Sequence, residues 1–331
     1  MSAPPPAPPP SLASTVAERT LRIEALEEAL QGDLSVNGTF SEIPWRKRWI
    51  PPLLVAAATS EALPFARNWL CSIGTARVQA SVMVVAFSDG VCEGLGPHLM
   101  AVNASCKASA LQLTHRVTRD VTWRSPEYFA AVRSKIILFS EALEHAAVRR
   151  NAPSWVVFCD VDVVFHKDVS AYLRRGYPNA SAPIFSLRSC NDRRINSGLF
   201  AMRPVNASLN FFALAQEYLL AGKSYDHTDM GAIQAAADTI TRFHRLPCGE
   251  MLPGNMLGKV WRYHENIVGL HMNWVQRASM KMLCLNLTGQ WLARAPPGVC
   301  ASAFSPRVTR ISGGSGSISC SGSHPLPMGS S

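Results

Sequence analysis

Asp160 and Asp162 stand two residues apart inside Trp155–Phe165, WVVFCDVDVVF, a run that is otherwise apolar. In an extended strand alternate side chains share a face, so both carboxylates point the same way and can hold one cation between them. Two unpaired carboxylates in so apolar a setting are costly, and a divalent metal removes that cost while supplying Lewis-acid chemistry. The plainer alternative is that the strand ends at Cys159 and the acids belong to a turn leading to a helix that begins near Asp168.

Other residues with chemistry to offer lie on both sides of this pair. Lys135 precedes it, and Asn196 with Gly198 follows in INSGLFAM, where the two make a polar turn. Asp226 and Asp229, three apart in SYDHTDMG, share a face if that stretch is helical. His271 ends the apolar run IVGLHMNW (Ile267–Trp274), with His264 as its nearest rival, and Lys281 comes ten residues later.

The elements that must position these groups follow an α/β order. Leu53–Ala58 and Val82–Phe87 read as buried strands, with a helix over Glu61–Ser72 and a weaker strand at Ala110–His115. Ser125–Ala147 reads as an amphipathic helix: Ser125 caps it, Pro126 takes the first helical position, and Glu127 follows in the first turn. The strand carrying the two aspartates comes directly after it. This βαβ order predicts a mostly parallel sheet flanked by helices, where ligands bind at the carboxyl ends of the strands. Downstream, Ala182–Leu187 and Ile195–Met202 read as strands, Asn206–Leu220 as a capped helix, and a further helix starts near Met230.

Around this core, residues 1–14 form a proline-rich spacer expected to be disordered. Residues 15–45 hold a helix that either packs on its own domain or serves as a stem. One catalytic domain spans 46–290, and 291–331 is a low-complexity tail expected to be disordered.

The chain has 331 residues, 47% of them hydrophobic, which suffices for one large α/β core. A net charge of +9 suits an anionic partner. The basic residues are scattered without aromatic interleaving, which favours a phosphorylated small molecule and argues against nucleic acid. Nine cysteines include no CxxC pair, against a zinc ribbon or a thioredoxin-like site, and leave at least one thiol over if the rest form disulfides. Asn37, Asn103, Asn179, Asn206 and Asn286 each open an N-x-S/T sequon, and together they favour a secretory lumen. Against this, the sequence has neither a signal-peptide pattern nor an apolar run of membrane-spanning length. Either the protein is cytoplasmic with idle sequons, or a membrane anchor is absent from this chain.

Five motifs occur in one order: YFxxxxxK (Tyr128, Phe129, Lys135), FCDVDVVF, NSGLFAMRP, D-x-x-x-x-Q (Asp229 to Gln234) and HMNWxxxxxxK ending at Lys281. The set resembles the nucleotide-diphospho-sugar transferases of the GT-A fold, and among them the family 77 glycosyltransferases. That resemblance implies Mn²⁺ or Mg²⁺ held by Asp160, Asp162 and His271 against the diphosphate of a UDP-sugar. It also implies transfer to a glycan or glycoprotein acceptor with retention of anomeric configuration, in the Golgi lumen with type II topology. Under it, Lys135 and Lys281 reach the phosphates as point charges, Asn196 and Gly198 touch the donor sugar, and Asp229 or Asp226 offers a carboxylate near the anomeric carbon. Two departures bear on donor choice and activity: Met230 stands where the family shows Gln, and Val275–Met280 lacks the expected glycine.

Two other readings compete. An hhhhDxDxV run also opens the haloacid-dehalogenase-like phosphatases, where Asp160 would be the nucleophile, but no later apolar strand ends in GD or DD to complete their site. A non-catalytic relative that binds sugar nucleotides is the other.

Overall fold

The computed structural model describes residues 49–109, 126–149, 151–178, 180, 182–190, 192–222, 228–240, 243–254, 265–273, 278–294 and 299–301. The expected spacer, the helix expected within 15–45, the strand at 110–115, the cap Ser125, Asp226, His264, Trp274 and the expected tail apart from 291–294 and 299–301 lie outside these residues.

A seven-stranded sheet organises the molecule, in the order β3 (Ser105–Ala108), β2 (Ser81–Ala86), β1 (Leu53–Ala58), β4 (Val156–Cys159), β7 (Asp192–Met202), β6 (Ile184–Ser189) and β8 (His244–Arg245). β1 pairs in parallel with both β2 and β4, β2 pairs in parallel with β3, and β6 with β8. β7 runs antiparallel to both β4 and β6. The sheet is therefore mostly parallel, as the order of elements predicted. A central parallel strand is covered on both faces, which is why β1 is the unbroken apolar run LLVAAA.

Period-two alternation divides the core in two. Leu54, Ala56, Val157 and Cys159 point to one side, under α1 (Leu63–Thr75), α2 (Val91–Ala101) and α4 (Val169–Gly176). Leu53, Val55, Val156 and Phe158 point to the other, under α3 (Pro126–Ala147), α5 (Asn206–Leu220) and α6 (Asp229–Thr239). Aromatic rings fill this second side: Phe158 lies 4.5 Å from Phe139 and 4.8 Å from Phe200, centroid to centroid. Local signals set the helix starts. Asp168 accepts from Ser170 N at 2.8 Å to cap α4, and Thr228 accepts from Gly231 N at 3.1 Å to cap α6.

A three-stranded sheet sits beside the large one: β5 (Val163–Phe165) pairs antiparallel with β10 (Gly269–His271), which pairs in parallel with β9 (Met251–Pro253). Val164, Leu252, Leu270 and Met272 make its core with Cys284 and Leu285 of α7 (Ala278–Leu287). Residues 291–331 were expected to be a disordered tail, but β11 (Ala293–Arg294) and β12 (Val299–Cys300) form a short ladder at its start. The Cys71–Cys300 disulfide and the Asn68 side chain, which accepts from Leu292 N at 2.5 Å, hold it against α1.

Two further expectations are corrected. Asp160 and Asp162 do not share one extended strand: β4 stops at Cys159, Val163 N donates to Asp160 O at 3.1 Å, and the chain turns into the small sheet. Asn196 and Gly198 lie not in a turn but within β7, in a bulge. Phe200 pairs with Phe185 while Asn196 pairs with Ser186, so Ser197, Gly198 and Leu199 have no partner on β6.

Candidate active site

The sheet order changes direction between β1 and β4, and the crevice outside their carboxyl ends is where α/β sheets bind ligands. Asp160 is the first residue past β4 there, fixed by its N–H donating to Gly198 O at 2.7 Å. The turn presents Asp162 beside it. The register of β10 on β5 sets His271 opposite Val163, so its imidazole arrives at the same point. Nε2 of His271 lies 3.4 Å from Asp160 Oδ2 and 3.3 Å from Asp162 Oδ1. One ligand atom from each residue falls within 4.8 Å of the other two, a donor set of two carboxylates and an imidazole that suits a divalent cation. Asp162 Oδ1 is buried and faces the His271 ring at 3.3 Å, as a ligand oxygen sharing a metal with that imidazole would.

Gly198 keeps this centre open. A Cβ at that position would stand 1.9 Å from His271 Cε1 and 2.7 Å from Asp160 Oδ2, so no other residue fits without displacing the cluster. Asn196 Oδ1 shapes the bulge by accepting from Gly198 N at 2.6 Å. Its side chain thus serves the backbone.

Two lysines balance the acids. Lys135 of α3 bridges Asp160 Oδ1 and Asp229 Oδ2, each at 2.6 Å, and Lys281 of α7 holds Asp162 Oδ2 at 2.5 Å. Burial alone would lower the Lys135 pKa, but the two carboxylates together carry it above the ordinary lysine value. Burial likewise opposes ionisation of Asp160 and Asp162, yet Lys135 on one, Lys281 on the other and His271 on both hold each below the usual carboxylate range. His271 is pushed up to about 8, the two aspartates prevailing over burial. All the site residues inferred from the sequence that fall among the described residues thus converge here. Lys135 meets two carboxylates, which its expected role at the phosphates did not include.

Two supports were not legible as such. Gln234, in α6, accepts from the buried Ile195 N at 2.8 Å and so ties that helix to the strand carrying Asn196 and Gly198. Asn273 accepts from Gly254 N at 2.8 Å and donates to Arg188 O at 2.9 Å, bracing the segment after His271. Both are polar side chains in quoted motifs, but their partners are distant in sequence.

The sequence model of the nucleotide-diphospho-sugar transferases matches residues 92–285, more than half of the chain. The chain belongs to that family. Among solved structures it is similar to the bifunctional glycosyltransferase WbbM, at 14% identity, covering 71% of this chain and 47% of that one, with a TM-score of 0.45. It is similar to the glycosyltransferase GlyE of Streptococcus pneumoniae TIGR4, at 10% identity over 67% of this chain and 54% of that one, TM-score 0.44. A glycosyltransferase involved in glycosylation of the major capsid of PBCV-1 gives 11% identity over 71% and 98%, TM-score 0.45. The chain spans about half the length of the first two, and nothing said of the site rests on these likenesses. No curated protein matches the chain in sequence.

Proposed function

We propose that this chain is a metal-dependent, retaining glycosyltransferase of the family 77 type, moving a sugar of the galactose, xylose or arabinose class from a UDP-sugar to a glycan or glycoprotein acceptor. The observation that carries the reading is the convergence of Asp160, Asp162 and His271 on a centre that only a glycine at 198 leaves open. Mn²⁺ or Mg²⁺ held there would take up the charge developing on the diphosphate as the sugar departs. Membership of a nucleotide-sugar family sets the phosphatase alternative aside, and screening UDP-sugars for Mn²⁺-dependent UDP release, with and without acceptor, tests the proposal against a purely binding relative. Release below background for every donor would sink it.

The chain's own residues favour attack from the leaving group's face. Asp229 is 5% exposed and already paired with Lys135, a poor state for a nucleophile and a good one for orienting a bound sugar. Asp229→Ala should therefore lower kcat by about 10²-fold through donor orientation, with no glycosyl-enzyme. NMR of the first-formed product decides: an inverted anomeric centre refutes retention, and a sugar covalently bound to Asp229 refutes the same-face route.

A Golgi lumen is the compartment we assign. It is supported by the disulfides Cys71–Cys300, Cys92–Cys106 and Cys190–Cys248 and by the exposed sequon residues Asn103, Asn206 and Asn286. No helix among the described residues is long and apolar enough to cross a membrane, so attachment would use a segment outside them. Active protein secreted behind a signal sequence should shift in mobility with glycosidase; no shift favours the cytoplasmic alternative.

A further inference from the structure

Each acid of the pair turns one oxygen to the shared centre and has the other capped by an ammonium. Asp160 offers Oδ2 and gives Oδ1 to Lys135; Asp162 offers Oδ1 and gives Oδ2 to Lys281. The two caps are not equivalent. Lys135 also holds Asp229, its side chain is 14% exposed, and it cannot leave without taking an ammonium from two carboxylates, one of them the buried Asp229. Lys281 is 22% exposed and, among the described residues, holds one acid, from a helix whose buried members are Cys284 and Leu285. A flexible four-carbon stem lets such an ammonium change partners.

A cation entering the centre shares Asp162 with this ammonium, and like charges on one carboxylate oppose each other. We propose that Lys281 is the counter-ion of Asp162 in the metal-free protein and yields to the metal by turning to the incoming diphosphate, so that metal and nucleotide bind as a coupled pair. Metal alone must displace Lys281 with no anion to receive it. Nucleotide alone finds Lys281 occupied. Each ligand therefore raises the affinity for the other by the same factor. The inference rests on the metal site proposed above, and adds to it an order of events: weak metal uptake without nucleotide, strong uptake with it.

The sign of one substitution separates this from a simple orienting role. Mn²⁺ alone is titrated by calorimetry into the chelator-treated full chain, as wild type, Lys281→Met, Lys281→Gln and Lys281→Arg, each first shown to unfold cooperatively; the titrations are repeated with saturating UDP. The two neutral variants should bind Mn²⁺ alone roughly tenfold more tightly than wild type and lose most of the enhancement by UDP, while Lys281→Arg stays near wild type. Mn²⁺ affinity unchanged or weakened in the neutral variants overturns the proposal, since Lys281 would then merely orient Asp162. Absence of Mn²⁺ uptake by wild type, with and without UDP, overturns both the coupling and the metal site beneath it, whereas failure of the coupling alone leaves wild-type uptake intact.

Discussion

His166 and His271 stand at opposite ends of one short ladder, because β5 and β10 are antiparallel with Val163 opposite His271 and Phe165 opposite Gly269. At the His271 end burial favours the neutral ring, but Asp162 and Asp160 prevail and push its pKa up to about 8. At the His166 end burial prevails over a hydrogen bond with Gln290, Lys167 adds to it, and the pKa falls to about 4. Residue type and sheet are the same at both ends. The carboxylates decide the charge, so the polar work of this small sheet is confined to the end that faces β4.

The largest effect comes from removing those carboxylates. Asp160→Asn or Asp162→Asn should abolish Mn²⁺-dependent UDP binding, by more than about 10²-fold, while the protein stays folded, because neither side chain belongs to the apolar clusters. Calorimetry with and without Mn²⁺ reads this, and wild-type affinity in both variants would remove the two acids from the site. The same Asp162→Asn protein, freed of metal, should also show His271 titrating below its wild-type value. An NMR titration still centred near 8 would mean that Asp162 does not set the charge of His271.

Next in size is the contrast between the two lysines. Lys135→Met takes the ammonium from the buried Asp229 and one of two cationic partners from Asp160, and should cost about 3 kcal/mol in metal-free protein. Lys281→Met takes the ammonium from one carboxylate, Asp162, which keeps His271 as a partner, so a smaller loss of about 1.5 kcal/mol is expected. Urea unfolding compares them; equal losses would show that Lys281 is as much part of the scaffold as Lys135.

Local physics explains which elements could be read from the chain. Asn206–Leu220 and Leu53–Ala58 are found with the bounds that periodicity gave, and the helix from Pro126 begins where proline suits a first turn. The helix Val91–Ala101 carries no clear helical signature because Gly94, Gly96 and Pro97 lie inside it, and the edge strand Ser105–Ala108 has no apolar alternation. The aspartate run looked like one strand because each half is apolar; the break at Cys159 is set by pairing with β10, far along the chain. Asp160, Asp162, His271 and the lysines were legible through type and order. That Gly198 serves by leaving space was not, since the space exists only once His271 has been delivered.

The smallest effect belongs to the other end of the ladder. His166 has a folded pKa of about 4 and an unfolded value of 6.5, so between these the unfolded chain binds more protons. Its contribution to stability is therefore fully present above pH 6.5 and is lost as pH falls towards 4. His98, also lowered by burial, with Arg67 adding, acts in the same direction. His271 has the opposite sign: its contribution is present below 6.5 and fades as pH rises through about 8. Asp160 and Asp162, held below 3.8, lose theirs only at still lower pH, outside the window. His166→Gln should thus flatten the fall in stability between pH 7 and pH 4.5 by about 2 kcal/mol without changing metal or UDP binding at pH 7. Urea midpoints for the two proteins at the two pH values measure the difference. Parallel declines would mean that His166 titrates alike in folded and unfolded chains, and the two ends of the ladder would then differ only through His271.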